Sequence, residues 1–93
     1  MIRSFADKRT AALFKGLVTK GTPADVARRA TAKLLLIDAA AELSFLESPP
    51  GNRLEALGGD RAGQHSIRVN DQWRICFRWA GGHAYDVEFC DYH

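Results

Sequence analysis

The sequence predicts an α+β domain, because the spacing of its apolar residues changes once along the chain. In the first half they recur at helical spacing, at Val26, Ala30, Leu34, Ile37 and Ala41. Beyond Pro49-Pro50-Gly51, which ends any helix, apolar and polar residues alternate as in strands. We therefore expect one domain over residues 1–93, with a short N-terminal strand and two helices packed on one face of a three- to four-stranded antiparallel or mixed sheet.

The first half supplies the short strand and both helices. Residues 2–5 alternate apolar and polar, which predicts the strand, and Asp7 stands where an N-cap precedes the first helix. The second helix has a stronger start, with Thr22 as N-cap, Pro23 at the first helical position and Asp25 three residues after the cap. Three cations lie off its apolar stripe and are expected to face outward: Arg28, Arg29 and Lys33.

The second half predicts three or four strands. Residues 53–57 and 64–69 are short strand candidates separated by a Gly-Gly-Asp segment, and a clearer hairpin follows. One face of this hairpin is apolar and is expected to meet the helices: Trp73, Ile75, Phe77, Trp79, Tyr85, Val87 and Phe89. The opposite, open face is polar: Arg74, Cys76, Arg78, Asp86, Glu88 and Cys90.

The turn of this hairpin decides which side chains share a face. A two-residue loop at Gly81-Gly82 alone would put the side chains on the wrong faces, so we expect a three-residue loop or a bulge. Either solution brings acids beside arginines on the open face: Arg74, Arg78, Asp86 and Glu88. Part of that face is therefore expected to be a ladder of ion pairs, and an Arg74–Glu88 pair is the structural alternative to a catalytic Arg74.

Composition is that of an ordinary globular protein. Hydrophobic residues make up 46% and charged residues 26% of the chain, and no apolar run approaches the ~20 residues of a membrane span. The first residues do not begin a secretory signal, so we expect a cytoplasmic protein without a membrane partner. Cys76 and Cys90 would be diagonal neighbours at best, which predicts free thiols and neither a disulfide nor a zinc site.

Charge is distributed unevenly along the chain. The net charge is +2, yet residues 1–37 hold eight Lys/Arg against two acids, which gives +6. Residues 38–93 hold five arginines against nine acids, which gives −4. A basic helical half is typical of surfaces that face a polyanion. The cations expected to contact RNA or the ribosome lie on the second helix and on the open sheet face: Arg28, Arg29, Lys33, Arg68 and Arg78.

Acid–base chemistry on a phosphodiester fits the polar residues better than a metal site or a nucleophilic triad. The three histidines share no short ligand spacing, and no serine stands in a nucleophile elbow. The final predicted strand instead leads into Asp91, Tyr92 and His93, which supply a carboxylate, a phenol and an imidazole. Arginines such as Arg74 match phosphate oxygens with a fixed fork of donors.

Several short segments stand in a characteristic order: Gln72-Trp73-Arg74-Ile75, Gly81-Gly82, Ala84-Tyr85-Asp86-Val87 and Asp91-Tyr92-His93. Their order and spacing resemble the HigB branch of the RelE-type toxins, over nearly the whole chain. The resemblance implies a small α+β toxin of a type II toxin–antitoxin system that cleaves messenger RNA in the ribosomal decoding site, without a metal or other cofactor. It also implies a cognate helix-turn-helix antitoxin of the HigA type, with DNA contacted only through the antitoxin complex.

The resemblance further implies roles for individual residues. Asp91, Tyr92 and His93 match the family's terminal acid, aromatic and histidine, and Arg74 matches the arginine of a Trp-Arg-Ile strand. His93 is expected to protonate the leaving 5′-oxygen, and Arg74 to stabilise the charge on the phosphorane. Tyr92 is expected to stack on or orient a base, and Asp91 to orient its neighbours.

Two positions depart from the family pattern. Better-known members carry a histidine in a Leu-His-Pro-Leu segment where this chain has Glu55, and a lysine before Gly-Asp where it has Gly58. A glutamate can also act as a base, so Glu55 is expected to accept the 2′-hydroxyl proton. If the departures matter, the alternative is a weak or inert member that binds antitoxin or ribosome without cleavage. A further alternative is a small RNA-binding module that uses the basic helix and the open sheet face.

Overall fold

A computed structural model describes residues 1–91, in which two helices pack on one face of a four-stranded antiparallel sheet, as predicted. The helices are α1 (Lys8–Phe14) and α2 (Ala24–Ala39). The strands are β1 (Glu55–Ala56), β2 (Gln64–Arg68), β3 (Trp73–Ala80) and β4 (His83–Asp91), in the spatial order β1-β2-β3-β4. Short 3-10 segments lie between α2 and β2, at Leu43–Glu47, Pro50–Asn52 and Gly59–Arg61. In the part of the chain described, no helix has the length and apolar character of a membrane span.

The N-terminal segment adds parallel contacts to the edge of this sheet. Ile2 and Phe5 form isolated parallel bridges with Ala84 and Val87 of β4. The expected first strand is therefore reduced to two bridges. Between them, the Ser4 hydroxyl accepts a hydrogen bond from the Asp86 N–H at 2.9 Å.

Both helices form where they were predicted, with small differences at the ends. Asp7 caps α1, because its Oδ1 accepts the Thr10 N–H at 2.7 Å. The predicted Thr22 cap of α2 is wrong: Pro23 is the N-cap, and the Thr22 hydroxyl lies 3.0 Å from that of Thr19 instead. The helix ends at Ala39, since the next residue is already extended, so Ala41 lies outside it.

The core lies between α2 and the apolar face of the sheet. Side chains on one stripe of α2 are buried, as the helical spacing predicts: Val26, Ala27, Ala30, Leu34 and Ile37. They meet buried side chains of the three longer strands: Ile67, Ile75, Phe77, Ala84, Val87 and Phe89. Burial of apolar surface between these layers is the main stabilising contribution, at about 25 cal/mol per Å2.

A bulge in β4 allows the hairpin to have a two-residue turn and still direct the apolar side chains of Val87 and Phe89 into the core. Ala80 pairs with His83 across Gly81-Gly82, and the register shifts between Cys76 and Arg78. Asp86 absorbs the extra residue with a left-handed φ of 53°. A bulge was one of the two expected solutions.

The position of the bulge changes the face of one aromatic residue. Tyr85 was expected on the core face, which is wrong, because it precedes the bulge and stands opposite Arg78 on the open face. Its side chain is exposed, and Ala84 occupies the core position beside Trp79 instead.

Candidate active site

Arg74 is a buried cation at the centre of the open sheet face. It is 5% exposed, and its Nε donates to the Ser66 hydroxyl at 2.7 Å. Its Nη2 donates to the Arg53 carbonyl at 2.7 Å and lies 3.4 Å from the Ser66 carbonyl. A guanidinium that loses water needs such partners, and these fix its orientation.

Glu55 stands next to this guanidinium. Its Oε2 lies 3.9 Å from Arg74 Nη2, while its side chain is 47% exposed. The pairing follows from the sheet, because Glu55 is opposite Ser66 on β2 and the Arg74 side chain reaches over that small residue. Two residues predicted to be catalytic, 19 positions apart, are thus in contact.

The alternative Arg74–Glu88 pair is wrong. Arg74 is opposite Cys90, and its side chain turns towards β2 and away from β4. Glu88 instead pairs with Arg61, whose Nη1 lies 3.2 Å from Glu88 Oε1. Arg61 follows the Gly-Gly-Asp segment, and its position over the open face could not be read from local sequence.

Asp91 ends β4 on the other face of the sheet. It is opposite Trp73, so strand alternation places its side chain on the helix-bearing side, whereas Arg74 is on the open side. Gln72 Nε2 donates to Asp91 Oδ2 at 3.2 Å. Tyr92 and His93 lie outside the described residues.

Strand β4, which leads to these residues, is attached to α1 by two side chains that sequence reasoning missed. The Phe89 N–H donates to the buried Thr10 hydroxyl at 2.9 Å, and that hydroxyl donates to Asp7 Oδ1 at 2.6 Å. Arg9 Nη2 donates to the Phe89 carbonyl at 3.0 Å, and its guanidinium carbon lies 5.4 Å from the Trp73 ring centroid. The Asp-x-x-Thr spacing at the helix start is the one sequence signal for this attachment.

The open face carries further ion pairs, and one of them, Arg78–Asp86, belongs to the predicted ladder. Arg78 Nε lies 3.6 Å from Asp86 Oδ2, and Arg68 Nη2 lies 2.5 Å from Asp71 Oδ1. The guanidinium of Arg68 holds the pKa of the Asp71 carboxyl below its ordinary value through this hydrogen bond. Each predicted open-face arginine therefore has an acidic neighbour.

The three predicted cations of α2 separate into two groups. Arg28 borders an apolar hollow of about 340 Å3 that includes Val18 and Leu35. Arg29 and Lys33 line a different hollow, of about 260 Å3, together with Arg68 of the sheet. The helix face expected to be one basic surface is thus divided.

Cys76 and Cys90 are free, as predicted, and both are buried. Cys76 is opposite Glu88 and Cys90 is opposite Arg74, so the thiols are diagonal neighbours. Interaction between the two thiols lowers the pKa of Cys76 and raises the pKa of Cys90, and the Cys90 thiol donates to the Glu88 carbonyl at 3.4 Å. Within residues 1–91, no three His, Cys, Asp or Glu side chains are grouped to hold a metal ion.

Comparison with known proteins decides the family. Residues 3–93 match the family of HigB-like toxins, described as RelE-like toxins of the type II toxin–antitoxin system HigB. This chain belongs to the HigB-like toxin family. An antitoxin is therefore its partner.

HigB relatives match over different lengths. The chain is 41% identical to an endoribonuclease HigB of Proteus vulgaris over 93 residues, which is 100% of both chains. It is 45% identical over 62 residues to the toxin HigB-1 of Vibrio cholerae serotype O1, covering 67% of this chain and 65% of that one.

Solved structures with the same fold are more distant in sequence. A YoeB–YefM complex from Staphylococcus aureus contains a chain with a TM-score of 0.63 and 16% identity, and the match covers 100% of this HigB-like chain and 98% of the other. A heterotetrameric complex of the YoeB–YefM toxin–antitoxin from the same organism gives a TM-score of 0.62. Both show that the α+β arrangement is that of a known toxin fold.

Proposed function

We propose that this HigB-like toxin is an endoribonuclease that cuts messenger RNA in the decoding site of the ribosome. The observation that carries the proposal is the contact between the exposed Glu55 carboxylate and the buried Arg74 guanidinium. The full-length match to a relative named endoribonuclease supports it independently.

The proposed reaction is an attack by the RNA on its own backbone. Glu55 takes the proton of the 2′-hydroxyl, and the 2′-oxygen bonds to the adjacent phosphorus. The bond from phosphorus to the 5′-oxygen breaks, and His93 gives that oxygen a proton. The products are a 2′,3′-cyclic phosphate and a 5′-hydroxyl, and side chains supply the base, the acid and the cation of the step.

Arg74 suits the stabilisation of the phosphorane. Two of its nitrogens are held by neutral oxygens of Ser66 and Arg53, which orient the guanidinium. A donor fixed before the reaction does not have to reorganise as negative charge develops.

Strand order supports the division of roles. β1 and β4 are opposite edges of the sheet, separated by three spacings of about 4.8 Å, and Arg74 lies on β3 between them. The proposed base, Glu55, is on the β1 side, and His93 follows β4 in sequence. An in-line displacement needs its base and acid on opposite sides of the phosphorus. Tyr92 stacks on a base, and Asp91 orients its neighbours.

The setting of the reaction belongs to the same proposal. The toxin acts in the cytoplasm, where the ribosome and messenger RNA provide the substrate. Its antitoxin is of the helix-turn-helix, HigA type, and DNA is reached only through the antitoxin complex. Cations on α2 and on the open face contact RNA.

Primer extension on messenger RNA from translating ribosomes tests the proposal. Wild-type protein is compared with His93→Ala, Glu55→Gln and the matched surface control Lys20→Gln. We expect cuts in the decoding site with wild type and control, and a loss of at least 100-fold with His93→Ala. Folded wild-type protein that makes no cuts, yet binds antitoxin, would establish the inert member instead. Binding to free RNA without cleavage would favour the RNA-binding module.

A further inference from the structure

The hollow lined by Arg29, Lys33 and Arg68 is positively charged. It lies where α2 meets the end of β2, and its remaining lining comes from Ala32, Gly51 and Val69. Three cations thus face about 260 Å3, and none of the lining residues is an acid. The hollow therefore has room for a group much larger than one water molecule.

Lys33 is held in place by a buried polar residue. Its Nζ donates to the Oδ1 of Asn52, which is fully buried. Asn52 is in turn fixed, because its Nδ2 donates to the Leu46 carbonyl at 3.2 Å and to the Ser48 carbonyl at 3.1 Å. The ammonium group is therefore positioned by the fold and is not a freely moving surface charge.

The electrostatics of the hollow favour an anion. Burial lowers the pKa of Lys33, and the positive charge of Arg68 lowers it further. Asp71 pairs with Arg68, but its side chain is fully exposed and is not among those that line the hollow. An anion in the hollow would offset the repulsion between Lys33 and Arg68.

Arg68 also connects the hollow with the candidate active site. It stands directly opposite Arg74 in the pairing of β2 with β3. β1 pairs with Ser66 and His65 of β2 and does not extend to Arg68. At Arg68, the edge of β2 instead borders the hollow, together with α2 and the segment before β1. Arg68 therefore stands between Arg74 and the cations of α2, with Glu55 beside Arg74 and Asp71 beside Arg68.

We propose that the hollow is a binding site for a backbone phosphodiester of RNA, which holds the strand while Arg74 engages the reacting phosphate. The ligand class rests on the proposed function, because an endoribonuclease meets a chain of regularly spaced phosphates. Arg29 and Arg68 supply forked donors, and Lys33 supplies a fixed point charge. The phosphate belongs to messenger or ribosomal RNA, which share this chemistry.

Paired charge-removing variants test the site. Arg29→Gln/Lys33→Gln removes two charges from the hollow, and glutamine at 33 retains a donor for Asn52. Lys15→Gln/Lys20→Gln removes two exposed charges from the α1–α2 connector and is the matched control. Thermal unfolding verifies that all three proteins are folded.

Affinity is measured for a short single-stranded 2′-O-methyl RNA, which lacks the attacking hydroxyl, and for ribosomes. We expect the hollow pair to weaken binding at least tenfold and the control pair less than threefold. In the oligonucleotide arm, the salt dependence should also become shallower by about 0.7 per lost phosphate contact. Weakening with the oligonucleotide assigns the phosphate to messenger RNA, and weakening with ribosomes alone assigns it to ribosomal RNA.

Equal effects of the two pairs, or no effect in either arm, would overturn the site. Cleavage in the primer-extension assay is scored separately. A wild-type toxin that cuts messenger RNA while the hollow pair binds normally would refute this inference alone. A protein that cuts nothing but holds the oligonucleotide through the hollow would refute the nuclease and keep the binding site.

Discussion

Glu55 and Arg74 meet across β2, with Glu55 Oε2 3.9 Å from Arg74 Nη2. The contact depends on Ser66, because its small side chain lets the guanidinium cross the strand and also accepts a hydrogen bond from it. A half-exposed carboxylate is thereby placed against a buried cation whose direction is fixed.

Glu55→Gln should remove cleavage and leave the fold intact. Glutamine keeps the shape of the side chain but cannot accept the 2′-hydroxyl proton, so we expect at least a 100-fold lower single-turnover rate on ribosomes. The free energy of unfolding should change by less than about 1 kcal/mol, because the carboxylate is half exposed. An unchanged rate would remove Glu55 from the mechanism.

Arg74→Lys separates charge from geometry. A lysine has no fork with which to satisfy both the Ser66 hydroxyl and the Arg53 carbonyl. We expect a loss of about 1–3 kcal/mol in urea unfolding and a strong loss of cleavage under conditions where the variant is folded. Lysine that supports wild-type cleavage would show that a cation without the guanidinium fork suffices.

Thr10→Val should loosen β4 from α1. The substitution leaves the buried Phe89 N–H without its acceptor and removes the donor to Asp7. We expect a loss of about 1–3 kcal/mol in thermal or urea unfolding. Thr10→Ser is the control, since it retains the hydroxyl. It should retain most of the free energy of unfolding that Thr10→Val loses. Equal losses in the two variants would show that the hydrogen bonds of the hydroxyl do not account for the loss in Thr10→Val.

Gly58→Lys should be tolerated and should raise cleavage. Gly58 has an extended backbone with φ −121°, which any residue adopts, and a Cβ there would meet nothing within 4 Å. The substitution supplies the cation that the family pattern places there. We expect the free energy of unfolding to change by about 0.5 kcal/mol or less. Gly58→Gln is the uncharged control. A rate that both variants raise equally would show that charge is not the cause.

The pKa of Lys33 should change when an anion binds in the hollow. That pKa is below 10.5, because burial and Arg68 disfavour the charged form. A bound phosphate favours the ammonium, so inorganic phosphate should raise the pKa in an NMR titration of the Lys33 side chain. By linkage, affinity should fall as pH rises through the pKa of the free protein. A pKa that phosphate leaves unmoved would contradict binding next to Lys33.

The same shift has a consequence for folding. Since the pKa of Lys33 is lower in the folded protein, the unfolded chain binds this proton more tightly at alkaline pH. The charge on Lys33 therefore opposes folding below its folded pKa, and the cost is relieved as pH rises towards 10.5. The stability difference between Lys33→Gln and wild type should shrink over that range.

The spacing of apolar residues was sufficient to predict which faces of the helices and strands pack together. Helical spacing identified the stripe of α2 that packs on the sheet, and alternation identified the core face of β3. These patterns depend on neighbours within a few residues, so they can be read locally. The helix ends were harder to predict, because a capping side chain can choose between partners. The Thr22 hydroxyl contacts the Thr19 hydroxyl and does not cap α2.

The parts of the site that sequence missed depend on distant pairing. Alternation alone does not say where a bulge occurs, so Tyr85 was assigned to the wrong face. Strand order decided that Arg74 meets Glu55 and that Glu88 meets Arg61. The hollow at Lys33 requires α2, β2 and the segment around Asn52 together, and no local pattern joins them.

The contacts between the first residues and β4 bear on the synthesis of the toxin. Ile2 and Phe5 form bridges with strand β4, and the Thr10 hydroxyl accepts a hydrogen bond from it, although β4 comes much later in the chain and is synthesised after them. Until residues 83–91 have emerged, α1 lacks its attachment and the core lacks Val87 and Phe89. A nascent chain that ends before residue 83 therefore lacks the contacts of β4, so this fold is complete only once translation has passed that strand.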